Sequence, residues 1–385
     1  MNVIHHTVQF CPPSQTFVEN VVDGVAKKVD NICLLTHKLF SSTPHTIHDI
    51  SFANNGLNEK IRQEYYKLRG YCHNTDFAKA RTIVSQFQPD LVHCHFGTSA
   101  YFEYFLQKYT TNTVPMLISL HGYDVFLMDE LYPDYRKVIS TLSQRSDVLF
   151  TTPSKFLKDK FRTSVDISDD KIIVIPNSFD GSYFKDAFVP FNDGDLLRIS
   201  NVGRFVDWKS QHYLIRAAEQ LKQSGFTNFL IDFVGTGTEL DNCKALAQEL
   251  AVEDFCVFWG AVPHEKVAEI VGRSHMYVHT ATSNDKGQTE TFGVAILEAI
   301  AMLKPVIYFD FGGIKEIFGG KDFAYYEAAD CDALDLASKI IKFSKKIGTE
   351  SSGEMKLESS LILNRLSSEK NINEIVTSYD SLVKK

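Results

Sequence analysis

The feature that most constrains this chain is an alternation of short apolar runs with longer amphipathic segments, carried through most of its length. Such runs suit parallel strands buried on both faces, and parallel neighbours need crossover connections that helices supply. Asn31–Thr36, Leu91–His95, Met116–His121, Val148–Thr151 and Lys171–Ile175 predict strands, with a helix over Phe77–Gln86 among their connections. The alternation restarts at Leu197, with strands expected at Arg198–Val202, Phe229–Val234, Cys256–Trp259, Met276–His279 and Pro305–Tyr308. Between the two series, Asn177, Gly181, Pro190, Asn192 and Gly194 concentrate turn formers in a linker. At 385 residues the chain exceeds what one core usually organises. The expectation is therefore an α/β protein of two doubly wound domains, divided near residue 190. The amphipathic segment Asn371–Leu382 suits a terminal helix that packs back across the cleft.

Composition narrows the function. A net charge of −8 with scattered Lys and Arg argues against a nucleic-acid partner, though it leaves room for one local basic pocket. Seven cysteines, odd in number and without a CxxC pair, read as reduced thiols in a cytoplasmic protein. The N-terminus has neither the basic nor the apolar region of a secretory signal. The most apolar stretch, Val114–Met128, is interrupted by His121, Gly122 and Asp124, so any membrane contact is expected to be peripheral, at the inner face.

The chemistry concentrates in residues 287–303, a polar turn running into a helix that is apolar on nearly every side. That helix should be buried, yet it carries Glu298 in its middle. A buried carboxylate needs a partner, either a Lys or Arg or the hydroxyls of a ligand. Glu290 falls just before the helix, where Thr291 is expected as N-cap and Gly293 would let the backbone approach a ligand closely. A helix N-terminus favours phosphate oxygens. A phosphate there, with one carboxylate beside it and another about two turns inside, describes a pocket for a sugar joined to a nucleotide.

Glu290 and Glu298, with Ala299 after them, resemble the E-x7-E motif of glycosyltransferase family 4 (glycosyl transferases group 1), retaining enzymes with the GT-B fold. The resemblance implies that Glu290 lies at the donor sugar, that Glu298 binds the ribose, and that Thr291, Phe292 and Gly293 line the donor; many members carry glycine in place of Thr291. Asp310–Glu316 resembles the glycine-rich loop near the donor diphosphate, and Gly203, Arg204 and Lys209 resemble a G-R-x-x-x-x-K segment. Arg204 and Lys209 could stabilise a departing nucleoside diphosphate without a metal, although such residues after a strand are commonly just solvated. Trp208 either covers the pocket or packs on the next helix. Gly235-Thr-Gly237 lacks the third glycine of a dinucleotide fingerprint, Leu240 standing there, and fits better as a family G-x-G turn on the donor side. The base is commonly held through backbone in a turn like Val257–Val262, which places Val262 at the donor and leaves both UDP and GDP open. Asp193-Gly-Asp195 has the D-x-D spacing of metal-binding transferases, but its turn-rich setting favours an ordinary turn.

In the first half, His121-Gly-Tyr-Asp124 follows a strand, and a histidine at that edge faces the crevice where open α/β sheets bind ligands. The segment resembles a family element whose histidine positions the donor. His93-Cys-His95 puts two histidines on one strand face, a spacing that could bind zinc, but no third ligand is near in sequence; a structural or acceptor-facing role for His95 is preferred. Pro12–Phe17 resembles a turn of members that build bacterial surface polysaccharides, which would aim Ser14 and Gln15 at the acceptor or phosphate. Pro176–Phe184 resembles the family linker.

The resemblance spans Pro12 to Glu316 in family order. It implies a GT-B fold, two Rossmann-like domains facing a central cleft: 1–189 on the acceptor side, 190–366 holding the nucleotide-sugar, and 367–385 returning as a helix to the first. The implied activity is retaining, metal-independent transfer of a hexosyl group from a UDP- or GDP-sugar to a hydroxyl of a glycan or lipid-linked oligosaccharide. Glu290, Arg204, Lys209 and His121 would be catalytic, with no cofactor beyond the donor. A nucleotide-sugar epimerase of the same fold is disfavoured by the E-x7-E spacing, and a silent scaffold subunit by the presence of Arg204, Lys209 and Glu290 together.

Overall fold

The computed structural model describes residues 1–10, 16–40, 44–51, 76–177, 179, 181–192, 194–319, 326–348 and 351–384. Ser14 and Gln15 lie outside them. The chain forms two compact units, one of Met1–Ser178 with Ser368–Lys385 and one of Phe179–Ser367.

Unit 1 is built on seven parallel strands, β1 (Asn2–Phe10), β2 (Asn31–Leu39), β3 (Ile47–Asp49), β4 (Leu91–His95), β5 (Met116–Ser119), β6 (Val148–Thr152) and β7 (Ile172–Val174), in the order β3-β2-β1-β4-β5-β6-β7. Its connecting helices are α1 (Thr16–Ala26), α2 (Phe77–Phe87), α3 (Gly97–Thr110), α4 (Tyr123–Phe126), α5 (Tyr135–Gln144) and α6 (Lys155–Ser164). Capping and periodicity explain them locally. Asp76 accepts from Lys79 N at 3.2 Å to open α2, and Ser154 accepts from Leu157 N at 3.2 Å to open α6. In α5 the buried residues Tyr135, Val138, Ile139 and Leu142 repeat at helical spacing and form one apolar stripe.

Unit 2 carries β8 (Leu197–Val202), β9 (Phe229–Val234), β10 (Cys256–Phe258), β11 (Met276–His279), β12 (Val306–Phe309) and β13 (Tyr326–Ala328), all parallel, in the order β10-β9-β8-β11-β12-β13. Its helices are α7 (His212–Gln223), α8 (Leu240–Glu249), α9 (His264–Gly272), α10 (Val294–Ala301), α11 (Ile314–Phe318), α12 (Ala333–Ser344) and α13 (Ser351–Arg365). The last helix, α14 (Ser368–Val383), belongs to unit 1.

Both sheets bury both faces. In unit 1, Val3, Leu91, Leu117 and Leu149 pack with Ile372, Ile375, Tyr379 and Leu382 of α14, whereas their strand neighbours Ile4, Val92, Ile118 and Phe150 join the opposite core. This alternation along fully buried strands is what double winding produces. The chain divides at 178/179 rather than at 189/190, because the expected linker is anchored in unit 2. Phe184 is buried in one core, Phe188 and Phe191 pack on the other, and the buried Lys304 ammonium donates to Ala187 O. Strands β1, β3 and β13 fall outside the runs read from sequence. The expected strand Met116–His121 ends at Ser119, since Gly122 at φ 136° turns the chain into α4. Among the described residues, no helix is long and apolar enough to cross a membrane.

Candidate functional site

In unit 2 the connections from β8 and β11 leave toward opposite sides of the sheet, which makes the gap between these neighbours its topological switch point. The loops following them are tied together. Thr282 N donates to Trp208 O at 2.7 Å, Thr280 Oγ1 to Lys209 O at 3.1 Å and Asn284 Nδ2 to Asp207 Oδ2 at 2.9 Å, while the Ser210 and Thr282 hydroxyls meet at 2.7 Å. The loop after β12 braces the same place. Gly313 N donates to Glu290 O at 2.9 Å, and a Cβ on Gly312 would stand 1.9 Å from that oxygen. The Asp310–Glu316 loop thus supports the Glu290 backbone directly.

This bracing brings two sequence-predicted residues into contact. The Lys209 ammonium pairs with Glu290 Oε2, and His279 Nε2 lies 3.1 Å from the same oxygen. Burial works to raise the Glu290 carboxyl, but the Lys209 charge and the His279 hydrogen bond outweigh it and hold the group well below the usual carboxylate range. Burial keeps His279 neutral, so an N–H at Nε2 donates to the anionic carboxylate and Nδ1 is an acceptor. The Tyr277 hydroxyl sits between that Nδ1, at 3.3 Å, and Val202 O, at 3.1 Å, and its single proton serves one at a time. Arg204 is exposed and stands apart from the pair; its guanidinium lies 5.9 Å and the Lys209 ammonium 4.8 Å from the Trp208 ring. Trp208 therefore faces both cations.

Gly235 has an immediate structural cause. At φ +134°, a Cβ there would lie 1.9 Å from Gly203 O, so the loops after β8 and β9 touch backbone to backbone. Gly203 N donates to Val234 O and Gly235 N to Gly260 O, each at 2.9 Å, extending the lacing to the turn that leads to Val262. Val262 itself packs on the core.

Helix α10 corrects one expectation. Its N-cap is Gly293, in the left-handed region at φ 92°, and not Thr291, because the chain turns into the helix only at that glycine. Phe292 is buried in the core, so only its backbone remains available to a ligand. Glu298 is buried one turn into α10 and has an imidazole partner instead of the Lys or Arg weighed from sequence: His264 Nε2 lies 3.2 Å from Oε1. A groove of about 410 Å³ runs between residues 206–212 and α8, with Asp207, Glu239 and Glu249 in its lining. Its acidity makes it a poor place for a diphosphate.

In unit 1, His121 packs between Phe17 and Phe96, with ring centroids 4.7 and 4.5 Å away, and lines a small cavity with Asn177. Burial pushes it down to about 3, so it is neutral. Asp124 shapes this turn by accepting from the backbone N–H of His121, Gly122 and Gly97 at 3.1, 2.8 and 2.9 Å. His95 is fully enclosed and meets His5, Nε2 to Nδ1, at 2.9 Å. His279, Tyr277 and His264 escaped the sequence reading. The rule that singled out His121, a histidine at the C-terminal edge of a strand, would have found His279.

Two doubly wound parallel-sheet units, the second with a cation–carboxylate pair at its switch point, make the architecture of the GT-B glycosyltransferases. Residues 16–182 match Glycosyltransferase Family 4 and residues 184–352 match Glycosyl transferases group 1, and the chain belongs to these glycosyltransferases. It is 27% identical over 241 residues to an uncharacterized glycosyltransferase of Methanocaldococcus jannaschii, covering 59% of each chain. It is 25% identical over 267 residues to a putative colanic acid biosynthesis glycosyltransferase, WcaL, of Salmonella typhimurium, covering 68% of this chain and 63% of that one. The matched region thus spans about three fifths of these relatives' length. The fold is similar to that of HepE from Anabaena, solved with UDP and glucose, at a TM-score of 0.74 and 17% identity, with 99% of this chain and 100% of that chain covered.

Proposed function

We propose that this protein transfers a hexosyl group from a UDP- or GDP-sugar to a hydroxyl of a glycan or lipid-linked oligosaccharide, with retention at the anomeric carbon and without a soluble metal ion. The observation that carries this reading is the Lys209–Glu290–His279 cluster between β8 and β11. Lys209 and Glu290 neutralise each other in this pairing. A donor diphosphate would draw Lys209 and attract the exposed Arg204, and free Glu290 to face the sugar while His279 keeps the carboxylate oriented. Glu298 would exchange His264 for the ribose hydroxyls. UDP is the first nucleotide to test, since the similar Anabaena protein was solved with it. The acceptor class follows the putative colanic acid biosynthesis glycosyltransferase among the relatives, and a lipid-linked acceptor would be met by peripheral contact at the inner face of the membrane.

The test is a thermal-shift panel of UDP- and GDP-sugars followed by transfer assays with mass-spectrometric and NMR readout of the product. A preferred donor at about 100 times its Kd should add about 2.7 kcal/mol of stability. Added Mg²⁺ or Mn²⁺ should leave the rate unchanged, and donor alone should show no sugar interconversion, which separates transfer from epimerisation. Glu290→Gln and Lys209→Gln should lose nearly all turnover while remaining folded; wild-type turnover by both would sink the assignment. His121→Ala belongs in the same panel.

A further inference from the structure

Unit 1 has its own switch point, between β1 and β4, and histidines crowd it. In the β1–β4 ladder His5 stands opposite His93, and Thr7 stands opposite His95. Register partners on parallel neighbours share a face, and residues two apart on one strand share it too, so His5, His93 and His95 all project to one side. One ligand atom from each lies within 4.8 Å of the other two, and all three side chains are buried. The His-x-His spacing lacked a third ligand near in sequence; strand register supplies it from β1.

Their present contacts suit ligation. His5 Nδ1 and His95 Nε2 face each other at 2.9 Å, and two nitrogens on a tetrahedral zinc, each at about 2.0–2.1 Å, sit roughly 3.3 Å apart. His93 Nδ1 meets the Tyr379 hydroxyl at 2.6 Å, the outer-shell contact that fixes the tautomer of a ligating histidine and turns Nε2 toward the metal. The Ser119 hydroxyl now on that Nε2, at 2.8 Å, also has Thr151 Oγ1 at 2.8 Å, so it keeps a partner when the nitrogen is taken. His5 is the adaptable member, because its Nε2 has no hydrogen-bond partner to break. A cavity of about 20 Å³, with room for one water, touches His95 and Ser119 but neither His5 nor His93. Three imidazoles without thiolate or carboxylate suit zinc and not the oxygen-seeking Mg²⁺ or Ca²⁺.

We propose that His5, His93 and His95 form a mononuclear zinc site in unit 1, completed by one water and tied through Tyr379 to α14. The site is independent of the donor chemistry in unit 2: the ion would clamp β1, β4 and the last helix together.

Untagged protein from zinc-supplemented cells, purified without chelators, should contain about one zinc per chain by plasma mass spectrometry. The His5→Ala/His95→Ala protein should hold less than about a tenth of that, and Co²⁺ added to metal-stripped wild type should give the visible bands of a four-coordinate site. Zinc-free protein that gains neither cobalt bands nor thermal stability with Zn²⁺ would overturn the proposal, leaving the cluster a hydrogen-bonded core. Zinc retained by the double variant would overturn it as well, since the ion would then sit elsewhere. If the double variant does not fold, X-ray absorption of the wild-type zinc protein decides. Three nitrogens at about 2.0–2.1 Å are expected, and a sulfur shell refutes the site.

Discussion

Replacing His279 with Phe tests the donor chemistry most sharply, because it removes one hydrogen bond from Glu290 and keeps a ring in the buried space. The Glu290 carboxylate has two partners on one oxygen, Lys209 and His279. Once a diphosphate draws Lys209 away, the imidazole is left to hold the carboxylate. A hydrogen bond to a charged group contributes about 1.5–3 kcal/mol, which corresponds to roughly 10- to 150-fold in rate if it is felt only in the transition state. The expected outcome is a kcat lowered by that factor, with donor Kd changed less than about threefold, since the phosphate contacts are untouched. The pH profile should move too. With His279 gone and Lys209 engaged, burial becomes the dominant influence on Glu290 and raises its carboxyl, so the acid limb of kcat should appear at higher pH than in wild type. His279→Gln, whose amide can donate to the same oxygen, should recover part of the loss. A Phe variant within about threefold of wild-type kcat, and with an unmoved acid limb, would refute the assigned role.

Lys304→Met removes a buried ammonium that donates to Ala187 O, Gly272 O and Ser274 O, the last two at 2.7 Å. Leaving these buried carbonyls without their donor should cost about 1–3 kcal/mol, or roughly 2–12 °C of melting temperature by calorimetry; an unchanged melting temperature would contradict the reading. Gly235→Ala should abolish the donor-dependent thermal shift, since its Cβ would strike Gly203 O, whereas Gly225→Ala, strained in backbone at φ +83° but with no atom near its Cβ, should lower the melting temperature and preserve that shift. The Glu290 carboxyl is lower in the folded chain than its ordinary 4.5, so the ionised group stabilises fully above about pH 4.5 and loses this contribution as pH falls through the folded value. Paired melts should therefore show the gap between wild type and Glu290→Gln narrowing below pH 4.5, and a constant or widening gap would contradict the pairing.

What was legible in the sequence follows from what is local. Buried strands announce themselves as apolar runs, which is why ten of them could be placed. β1 escaped because His5, His6, Thr7 and Gln9 interrupt its run, although it pairs on both sides. The domain boundary moved because Phe184 and Lys304 anchor the expected linker, and a lysine grip on a carbonyl 117 residues away has no sequence signature. Lys209 and Glu290 were each recognisable, but their pairing depends on two loops being laced across the switch point. His5 was beyond reach, since only the β1–β4 register puts it beside His93. Thr291 has the chemistry of a cap but not the position, which the left-handed backbone at Gly293 decides.

The placement of α14 has a consequence for how the protein is made. Unit 2 is inserted within unit 1, and Tyr379, Ile372 and Leu382 complete a hydrophobic core that begins at Val3. During synthesis from the N-terminus, the first sheet emerges early but waits for the residues after Ser368 before this face can close. Unit 2, by contrast, is complete in sequence before then and is free to fold first. A chain released just before Ser368 would hold a complete second unit beside a first unit with Val3 and Leu91 uncovered, the state in which a chaperone has most to bind.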